Sequence, residues 1–380
     1  MNPIYLDHNA TTPVDPRVVR ACLPYLTEHW GNPSSGHVYG TAARAAVNAA
    51  RNAVAALVGS TAGEVVFTGG GSDSDTLAIR GAGLAHRHRG NHVITQVTEH
   101  PAVLAACDGL RRLHGFRVTV LPVDRHGLVD PADLEAALTD DTVLVSVMHA
   151  NNETGTVQPV RALADLAHSR GALIHTDASQ SVGKVEVSVR DLGVDLLTLT
   201  GHKFYAPKGV GALHVRAGLR LEPSVYGGGQ ERGFRAGTEN VALIAALGCA
   251  AELVEGDAER LRGLRELLHD ELSALLPGRV LLNGHPTHRL PNTLNVSIEG
   301  VAGHELLAAC PAIAASTGSA CHEGTHEPSP VLTAMGLSTG RALGAVRLSV
   351  GRWTTEADVR RAAADLTEAA RRLARRSAGV

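Results

Sequence analysis

Short runs of Val, Ile and Leu alternate with stretches of helical periodicity along the first two thirds of the chain. The seven runs are "EVVFT" ending at Thr68, "HVITQV" at Val97, "RVTVLPV" at Val123, "TVLVSVMH" at His149, "ALIHTDA" at Ala178, "LLTLTGH" at His202 and "GALHVR" at Arg216. Continuous apolar runs, without strict alternation of polar and apolar positions, indicate strands that are buried on both faces. The pattern predicts an α/β fold with a mostly parallel seven-stranded sheet flanked by helices, and one antiparallel pair between the last two runs.

The pattern changes after about residue 255. A helical stretch at 259–276 leads to strand-like runs at 292–298 and 345–350 and to a final helix. This order predicts a second, smaller α+β domain. We expect a large domain over 15–255 and a small domain formed by 1–14 and 256–380, packed together because no low-complexity linker separates them.

The amino-acid composition and the net charge limit the kinds of protein that this chain can be. The chain has 380 residues, of which 44% are hydrophobic and 19% are charged, and this balance is typical of a globular protein. The net charge of −3 gives no overall field that favours nucleic acid or an anionic membrane, so neither is an expected partner. The N-terminus "MNPIYLDHNA" lacks the layout of a signal peptide, and no apolar run reaches membrane-spanning length, so we expect a cytoplasmic protein.

Five cysteines, an odd number and widely spaced, do not form a disulfide framework. Only Cys321 stands among Gly, Ser and Ala, in the stretch "GSACHEGTHEPSP", where it is a candidate reactive thiol. The same stretch contains His322, Glu323 and His326 in the H-E-x-x-H pattern of zinc hydrolases. That pattern requires a helix, whereas Gly324 lies inside the motif and prolines follow it closely. We therefore favour the loop thiol and keep a zinc site as the alternative.

Polar residues follow the predicted strands at their carboxyl ends, where parallel α/β sheets bind ligands. The run Gly69, Gly70, Gly71 and Ser72 offers N–H groups and a hydroxyl at a helix start, which suits a phosphate, although a simple glycine turn would give the same pattern. The other strand-end residues are His100, Asn151, Asn152, Glu153, Asp177, Gln180, Thr200, His202 and Lys203. Each alone could be an ordinary polar residue. Together, a lysine amine, a carboxylate and a phosphate cradle are what pyridoxal phosphate (PLP) requires.

Ten motifs carry a resemblance that covers nearly the whole chain. They are "YLDHNATTPVDPRV", "GNPSSGHVYG", "TEHPAV", "NNETGTVQP", "HTDASQS", "GHKFYAPKG", "GGGQERGFRAGTEN", "LPNTLNVS", "STGSACHEGTHEPS" and "RLSVGRWTT". In this order they resemble the cysteine desulfurases of the NifS/IscS type, in the class V aminotransferase family. The resemblance implies the PLP-dependent transferase fold type I and a reaction that converts L-cysteine to L-alanine. The sulfur would pass to Cys321 as a persulfide and then to an acceptor protein.

The resemblance also implies a role for each site residue. Lys203 would bind PLP covalently, His100 would stack on its ring and move protons, and Cys321 would be the catalytic cysteine. Asp177 would pair with the ring nitrogen, while Gln180 and Asn152 would approach the phenolic oxygen and the substrate. The residues implied to hold the phosphate are Gly71, Ser72, Thr200 and His202.

Two further residues are implied at the edges of the site. Thr238 of "RAGTEN" would reach the phosphate in a partner subunit, so the resemblance implies a homodimer. Arg347 would bind the substrate carboxylate, with Arg352 as the alternative.

The chain departs from the family pattern at one loop. Where the family usually has Ser-Gly-Ala-Thr-Glu-Ser-Asn-Asn, residues 69–76 read Gly-Gly-Gly-Ser-Asp-Ser-Asp-Thr, a looser and more acidic run that keeps the hydroxyl at Ser72. Other enzymes of the same fold, a selenocysteine lyase or an aminotransferase, are the nearest alternatives. The acceptor could serve iron–sulfur assembly, tRNA thiolation or DNA phosphorothioation. The last is favoured, because the chain ends soon after "RRLARRSAGV", without the extended tail of housekeeping members.

Overall fold

The computed structural model describes residues 3–318 and 327–378. The strands are β1 (Ile4–Tyr5), β2 (Val65–Thr68), β3 (His92–Gln96), β4 (Arg117–Leu121), β5 (Thr142–Ser146), β6 (Leu173–Asp177), β7 (Leu196–Thr200), β8 (Gly211–Val215), β9 (Val280–Leu282), β10 (Thr293–Ile298), β11 (Ile313–Ala314) and β12 (Ala345–Ser349). The helices are α1 (Pro16–Cys22), α2 (Pro24–Thr27), α3 (Val38–Leu57), α4 (Gly71–Ala85), α5 (Pro101–His114), α6 (Pro131–Ala137), α7 (Val160–Ser169), α8 (Val189–Leu192), α9 (Val241–Glu252), α10 (Ala258–Leu275), α11 (Gly303–Ala308), α12 (Pro330–Ala334), α13 (Thr339–Leu343) and α14 (Glu356–Ala378).

The seven predicted apolar runs form one seven-stranded sheet in the order β2-β8-β7-β6-β5-β3-β4. The ladders from β7 through β6, β5 and β3 to β4 are parallel, and β8 runs antiparallel to both of its neighbours. The predicted α/β architecture and the antiparallel pair of β7 and β8 are therefore confirmed. Because every strand except β8 points the same way, their carboxyl ends meet at one edge of the sheet, where a site can form.

Adjacent residues of the central strands enter two different apolar cores. Ile94, Val145 and Ile174 pack with α3, α7 and α9 on one side, while their neighbours Val93, Leu144 and Leu173 pack with α4 and α5. Side chains alternate across a strand, so the two cores lie on the two faces of the sheet. This is why the runs are continuously apolar.

The expectation that every strand is buried on both faces is wrong for the edge strand β4. Arg117 is exposed, and Val120 is 48% exposed. Since β4 pairs only with β3, one of its sides has no neighbouring strand and part of its surface stays in solvent.

A second assembly is built around the antiparallel sheet β12-β10-β9. Its apolar core joins leucines of α10 and α14 to Val296 and Leu348, and it includes Ile4 and Leu6 from the start of the chain. Strand β1 pairs in parallel with β11. We propose the division into 15–255 and 1–14 plus 256–380 on the basis of these separate cores. In the part of the chain that the structure describes, no helix has the length and apolar character needed to cross a bilayer.

Candidate active site

A cavity of about 300 Å³ lies beyond the carboxyl ends of the parallel strands. It is lined by ten of the predicted site residues, namely Gly71, Ser72, His100, Asn152, Asp177, Gln180, Thr200, His202, Lys203 and Arg347. Nine of them lie at or beyond the carboxyl ends of strands that meet at one edge of the central sheet, while Arg347 comes from β12 of the smaller sheet. Asn9, Ala10, Asp75 and Ser179 also line the cavity, although the sequence patterns had not singled them out.

Cys321 and Thr238 are the predicted site residues that are not among these ten. Cys321 lies outside the described residues, as do His322, Glu323 and His326 of the alternative zinc motif. Thr238 lines a separate cavity of about 230 Å³ with Thr68 and Gly69, which directly precede the start of α4. Its implied contact is with a partner subunit, so its role stays a prediction.

Lys203 ends a short 3-10 turn, Gly201–Lys203, that follows β7. Its Nζ donates hydrogen bonds of 2.8 Å to the carbonyl oxygens of Asn9 and Ala10. Burial, and to a smaller extent Arg347, lower the pKa of the Lys203 amine to about 8 against the opposing effects of Asp177 and Asp7. The amine is therefore closer than an ordinary lysine to the neutral form that a nucleophile or a base needs.

Helix α4 begins at the cavity with free backbone donors. Gly70 precedes it with φ 138°, a conformation that favours glycine, and no described side chain caps its first turn. A Cβ atom at Gly71 would lie 3.3 Å from Ser179 Oγ and 3.6 Å from Thr200 Cβ, so a side chain there would intrude on the space beside Thr200. Free N–H groups at a helix N-terminus, with the Ser72 and Thr200 hydroxyls nearby, are donors of the kind that a phosphate group requires.

The acidic residue in the first turn of α4 has its own partners. Asp73 accepts a hydrogen bond of 2.8 Å from Gly69 N and one of 2.9 Å from Arg235 Nε. Its negative charge is therefore balanced by a guanidinium and by the positive end of the helix, so the more acidic run is compatible with an anion at this end of the cavity.

Asp177 and His100 line the cavity from two elements: Asp177 is the last residue of β6, and His100 is the N-cap of α5. Asp177 closes β6, is 8% exposed, and accepts a hydrogen bond of 2.8 Å at Oδ1 from Ser179 N. His100 caps α5, where Nδ1 accepts from Ala102 N at 3.2 Å. That bond places the ring proton of neutral His100 on Nε2. Loss of water contact lowers the pKa of His100, with Lys203 adding to the shift and Asp177 opposing it, so the ring is neutral at pH 7.

These residues fit PLP. The free donors of α4 suit its phosphate, the Asp177 carboxylate suits a protonated ring nitrogen, and the Lys203 amine suits its aldehyde. The three features face one cavity whose size suits a small cofactor.

Arg347 and Arg352 occupy different surroundings. Arg347 lines the cavity, where its Nη1 donates to Asn152 O at 3.1 Å. Arg352 does not line it: its guanidinium donates to Asp15 Oδ2 and to Leu253 O, both at 2.8 Å, and lies 4.4 Å from the centre of the Tyr205 ring. Tyr205 has φ 72° in the turn after Lys203, so Arg352 supports a strained segment of backbone.

Known proteins resemble this chain over most of its length. The family model "Aminotransferase class-V" matches residues 4–362. A "Cysteine desulfurase IscS" from Anaeromyxobacter sp. (strain Fw109-5) is 49% identical over 94% of this chain and 90% of its own length. A "Cysteine desulfurase" from Trichormus azollae is 47% identical over 98% of this chain and 94% of its own length.

Solved structures give the same result. A "NifS-like protein" superposes with a TM-score of 0.89 at 35% identity, covering 96% of this chain and 98% of its own. The structure "SspA in complex with cysteine" gives 0.82 at 34% identity, covering 92% and 99%. DndA from Streptomyces lividans gives 0.75 at 37% identity, covering 91% and 99%. The chain therefore belongs to the class V aminotransferase family, among its PLP-dependent cysteine desulfurases of the NifS/IscS type.

Proposed function

We propose that this chain converts L-cysteine to L-alanine and holds the released sulfur on Cys321 as a persulfide until an acceptor protein takes it. The observation that carries the proposal is the convergence of the Lys203 amine, the Asp177 carboxylate and the free N-terminus of α4 on one cavity. The transfer balances as L-cysteine plus the Cys321 thiol giving L-alanine plus the Cys321 persulfide.

PLP, when bound, supplies an electron-withdrawing ring that makes the Cα proton of an attached amino acid acidic. Asp177 holds the positive charge at the ring nitrogen, and Lys203 Nζ takes the Cα proton because its lowered pKa leaves the neutral amine accessible. His100 lines the cavity with Nδ1 engaged by Ala102 N, so Nε2 is the ring atom that can move a proton at the substrate thiol. Arg347 binds the substrate carboxylate.

Cys321 takes the sulfur atom from the substrate. Its thiolate attacks the substrate sulfur, the bond from that sulfur to Cβ breaks, and the electron pair left on Cβ takes a proton to complete alanine. A free cysteine has a pKa of about 8.5, so the thiol has to lose its proton when it attacks. No external redox partner is required, because the two electrons of the broken bond reduce Cβ while the transferred sulfur is oxidised from the thiol to the sulfane level.

The role of Cys321 is tested by Cys321→Ser, with Cys249→Ser as the matched control because Cys249 is half-buried in α9, in the large domain. The Cys321→Ser protein should keep the absorbance of bound PLP and lose sulfide release from L-cysteine, while the control keeps both. Sulfide release at the wild-type rate by Cys321→Ser would contradict the thiol role.

Product analysis separates the alternatives. A selenocysteine lyase would release selenide from selenocysteine and leave cysteine unchanged, and an aminotransferase would give an oxo acid in place of alanine. For the zinc alternative, the described residues contain no group of three or more His, Cys, Asp or Glu side chains suited to a metal ion, and the H-E-x-x-H motif lies outside them. Stoichiometric zinc in the purified protein would revive that alternative.

We propose a homodimer in which Thr238 contributes to the partner's phosphate site. The support is that Thr238 lines a cavity with Thr68 and Gly69, which directly precede the proposed phosphate site of the same chain. Trp30 and Tyr39, 66% and 51% exposed, stack at 5.1 Å and add apolar surface that a second copy could cover. Thr238→Ala should weaken PLP binding, and sedimentation should give twice the mass of the chain.

For the sulfur acceptor we favour a dedicated system such as DNA phosphorothioation over iron–sulfur assembly and tRNA thiolation. The support is the likeness to DndA at 37% identity. Capture of persulfide-accepting proteins by the holoenzyme tests this choice. A scaffold protein of iron–sulfur assembly as the main partner would overturn it.

A further inference from the structure

The chain has only three lysines, and two of them belong to one site. Lys203 lines the cavity, while Lys184 is 8% exposed and lies directly behind the cavity wall. The third, Lys208, is exposed. A buried lysine is costly unless its amine is satisfied, so the contacts of Lys184 indicate what it does.

Lys184 is held by two neutral side chains. Its Nζ donates to Gln180 Oε1 at 2.8 Å and to Asn9 Oδ1 at 3.3 Å. No ion pair with a carboxylate is found for it within residues 3–318 and 327–378. Burial lowers the pKa of Lys184 well below its ordinary value, and the nearby cations Lys203 and Arg347 lower it further. Lys184 is therefore a hydrogen-bond donor and not one half of a salt bridge.

These contacts fix the orientation of the Gln180 amide. Gln180 Nε2 donates to the Asn9 carbonyl oxygen at 3.0 Å, and a carbonyl can only accept. On its other side, Oε1 accepts from Lys184. A flipped amide would lose both bonds. Since Nε2 carries two hydrogens and Gln180 lines the cavity, the second N–H remains available to a bound molecule.

The same network reaches Lys203. The Asn9 carbonyl oxygen that accepts from Gln180 also accepts from Lys203 Nζ at 2.8 Å, while the Asn9 side chain is held by Lys184 and by Asn292 Nδ2 at 3.0 Å. Lys184 is therefore hydrogen-bonded directly to Gln180 and to Asn9, and both of these residues line the cavity.

We propose that Lys184 is a positioning residue of the cofactor site, which keeps an N–H of Gln180 facing the cavity and the Asn9 carbonyl in place for Lys203. The inference rests on the proposed function, since it takes PLP as the molecule in the cavity. Lys184 touches neither the cofactor nor the substrate in this arrangement.

A double-mutant cycle on PLP binding tests the proposal. PLP affinity and the pH dependence of the absorbance of bound PLP are measured for the wild type, Lys184→Met, Gln180→Ala and the double variant, with Lys208→Met as the matched control. Lys184→Met should weaken the Kd for PLP about tenfold, the size of one hydrogen bond, and should shift the midpoint of the spectral transition. In the Gln180→Ala background the same substitution should change the Kd less than about threefold. Lys208→Met should change neither quantity.

Three outcomes would overturn the inference. Independent, multiplying effects of the two substitutions would show that Lys184 does not act through Gln180. A lower melting temperature with unchanged Kd and spectrum would show a role in stability alone. If Lys184→Met fails to fold, Lys184→Gln replaces it, because this variant keeps an amide donor. Lys184→Gln should retain the wild-type spectral midpoint. A midpoint displaced as far as in Gln180→Ala would contradict the proposal. A wild-type protein that binds no PLP would instead remove the proposed function itself.

Discussion

Arg347 donates a hydrogen bond of 2.7 Å from Nη2 to the Asp7 carboxylate. The guanidinium proposed to bind the substrate therefore already holds an anion, supplied by the segment that follows β1. Its Nη1 is engaged by Asn152 O, and its Nε has no hydrogen-bond partner among the described residues. A substrate carboxylate would have to share Arg347 with Asp7 or displace it.

Arg347→Ala should lower kcat/KM for L-cysteine by about two orders of magnitude, the size expected for losing a charge-assisted hydrogen-bond pair of about 3 kcal/mol. Steady-state kinetics measure the change. Asp7→Asn should lower KM, because it removes a carboxylate that competes with the substrate for the same guanidinium. An Arg347→Ala enzyme with unchanged KM and kcat would show that another residue binds the carboxylate.

Arg352→Ala should affect stability and leave KM for L-cysteine within about twofold. Its contacts with Asp15, Leu253 and Tyr205 lie outside the cavity, and its loss leaves Asp15, whose side chain is 3% exposed, with Arg17 as its remaining cation. We expect a loss of about 3 kcal/mol in the free energy of unfolding, measured in urea. A large rise in KM with no change in stability would assign the substrate carboxylate to Arg352 instead.

Asp75→Asn should change how stability depends on pH. Asp75 is 1% exposed, and its Oδ1 has no hydrogen-bond partner in the described part of the chain, although His175 Nε2 lies 3.8 Å away. Burial raises the pKa of Asp75 well above its ordinary value, and the charges of Asp177 and Glu99 raise it further. The folded protein keeps this proton while the unfolded chain loses it above about pH 4, so the stabilisation is lost as pH rises toward the folded pKa.

Urea unfolding of the cofactor-free protein measures this effect. Above about pH 4 the wild type should lose stability more steeply with rising pH than Asp75→Asn does, with a limiting difference of about 1.4 kcal/mol per pH unit for one extra bound proton. Parallel stability curves for the two proteins would show that Asp75 is ionised in the folded state.

The rate at which the cofactor-free protein combines with PLP should rise with pH. Only the neutral amine attacks an aldehyde, and the pKa of Lys203 is lowered to about 8 by burial. Stopped-flow absorbance should therefore give a midpoint near pH 8, and Lys203→Ala should show no such transition. A midpoint near the ordinary value for lysine, about 10.4, would contradict the lowered pKa.

The strands and the main site residues could be predicted because both depend on local patterns. A strand buried on two faces requires an unbroken apolar run, and a parallel sheet gathers the residues that follow those runs. The order of the strands has no such signature: nothing in the run at 64–68 indicates that β2 joins the sheet beside β8 and antiparallel to it. The exposure of β4 likewise has no local signature, because it follows from the place of β4 at the edge of the sheet.

The supporting residues of the site could not be predicted, because their roles depend on contacts over long distances in the chain. Lys184 lies in the turn residues after β6, some way beyond the strand end, and its sequence position does not show that its amine contacts Asn9. Asp75 is part of an acidic run, and only its burial in α4 facing the cavity makes its charge unusual. The sequence leaves Arg352 beside Arg347 as a candidate for binding the substrate carboxylate, since it does not show that Arg352 turns toward Asp15.

The two carbonyl groups that hold Lys203 come from residues 9 and 10, and this segment is fixed by partners near the other end of the chain. Ile4 pairs with Ile313, and Asn9 is bound by Thr293 and Ser349. During synthesis, the ribosome releases the central sheet and its lysine long before those partners. The nascent protein should therefore form its sheet early and complete the surroundings of the amine only once Ser349 has left the ribosome, so cofactor capture should be delayed until then.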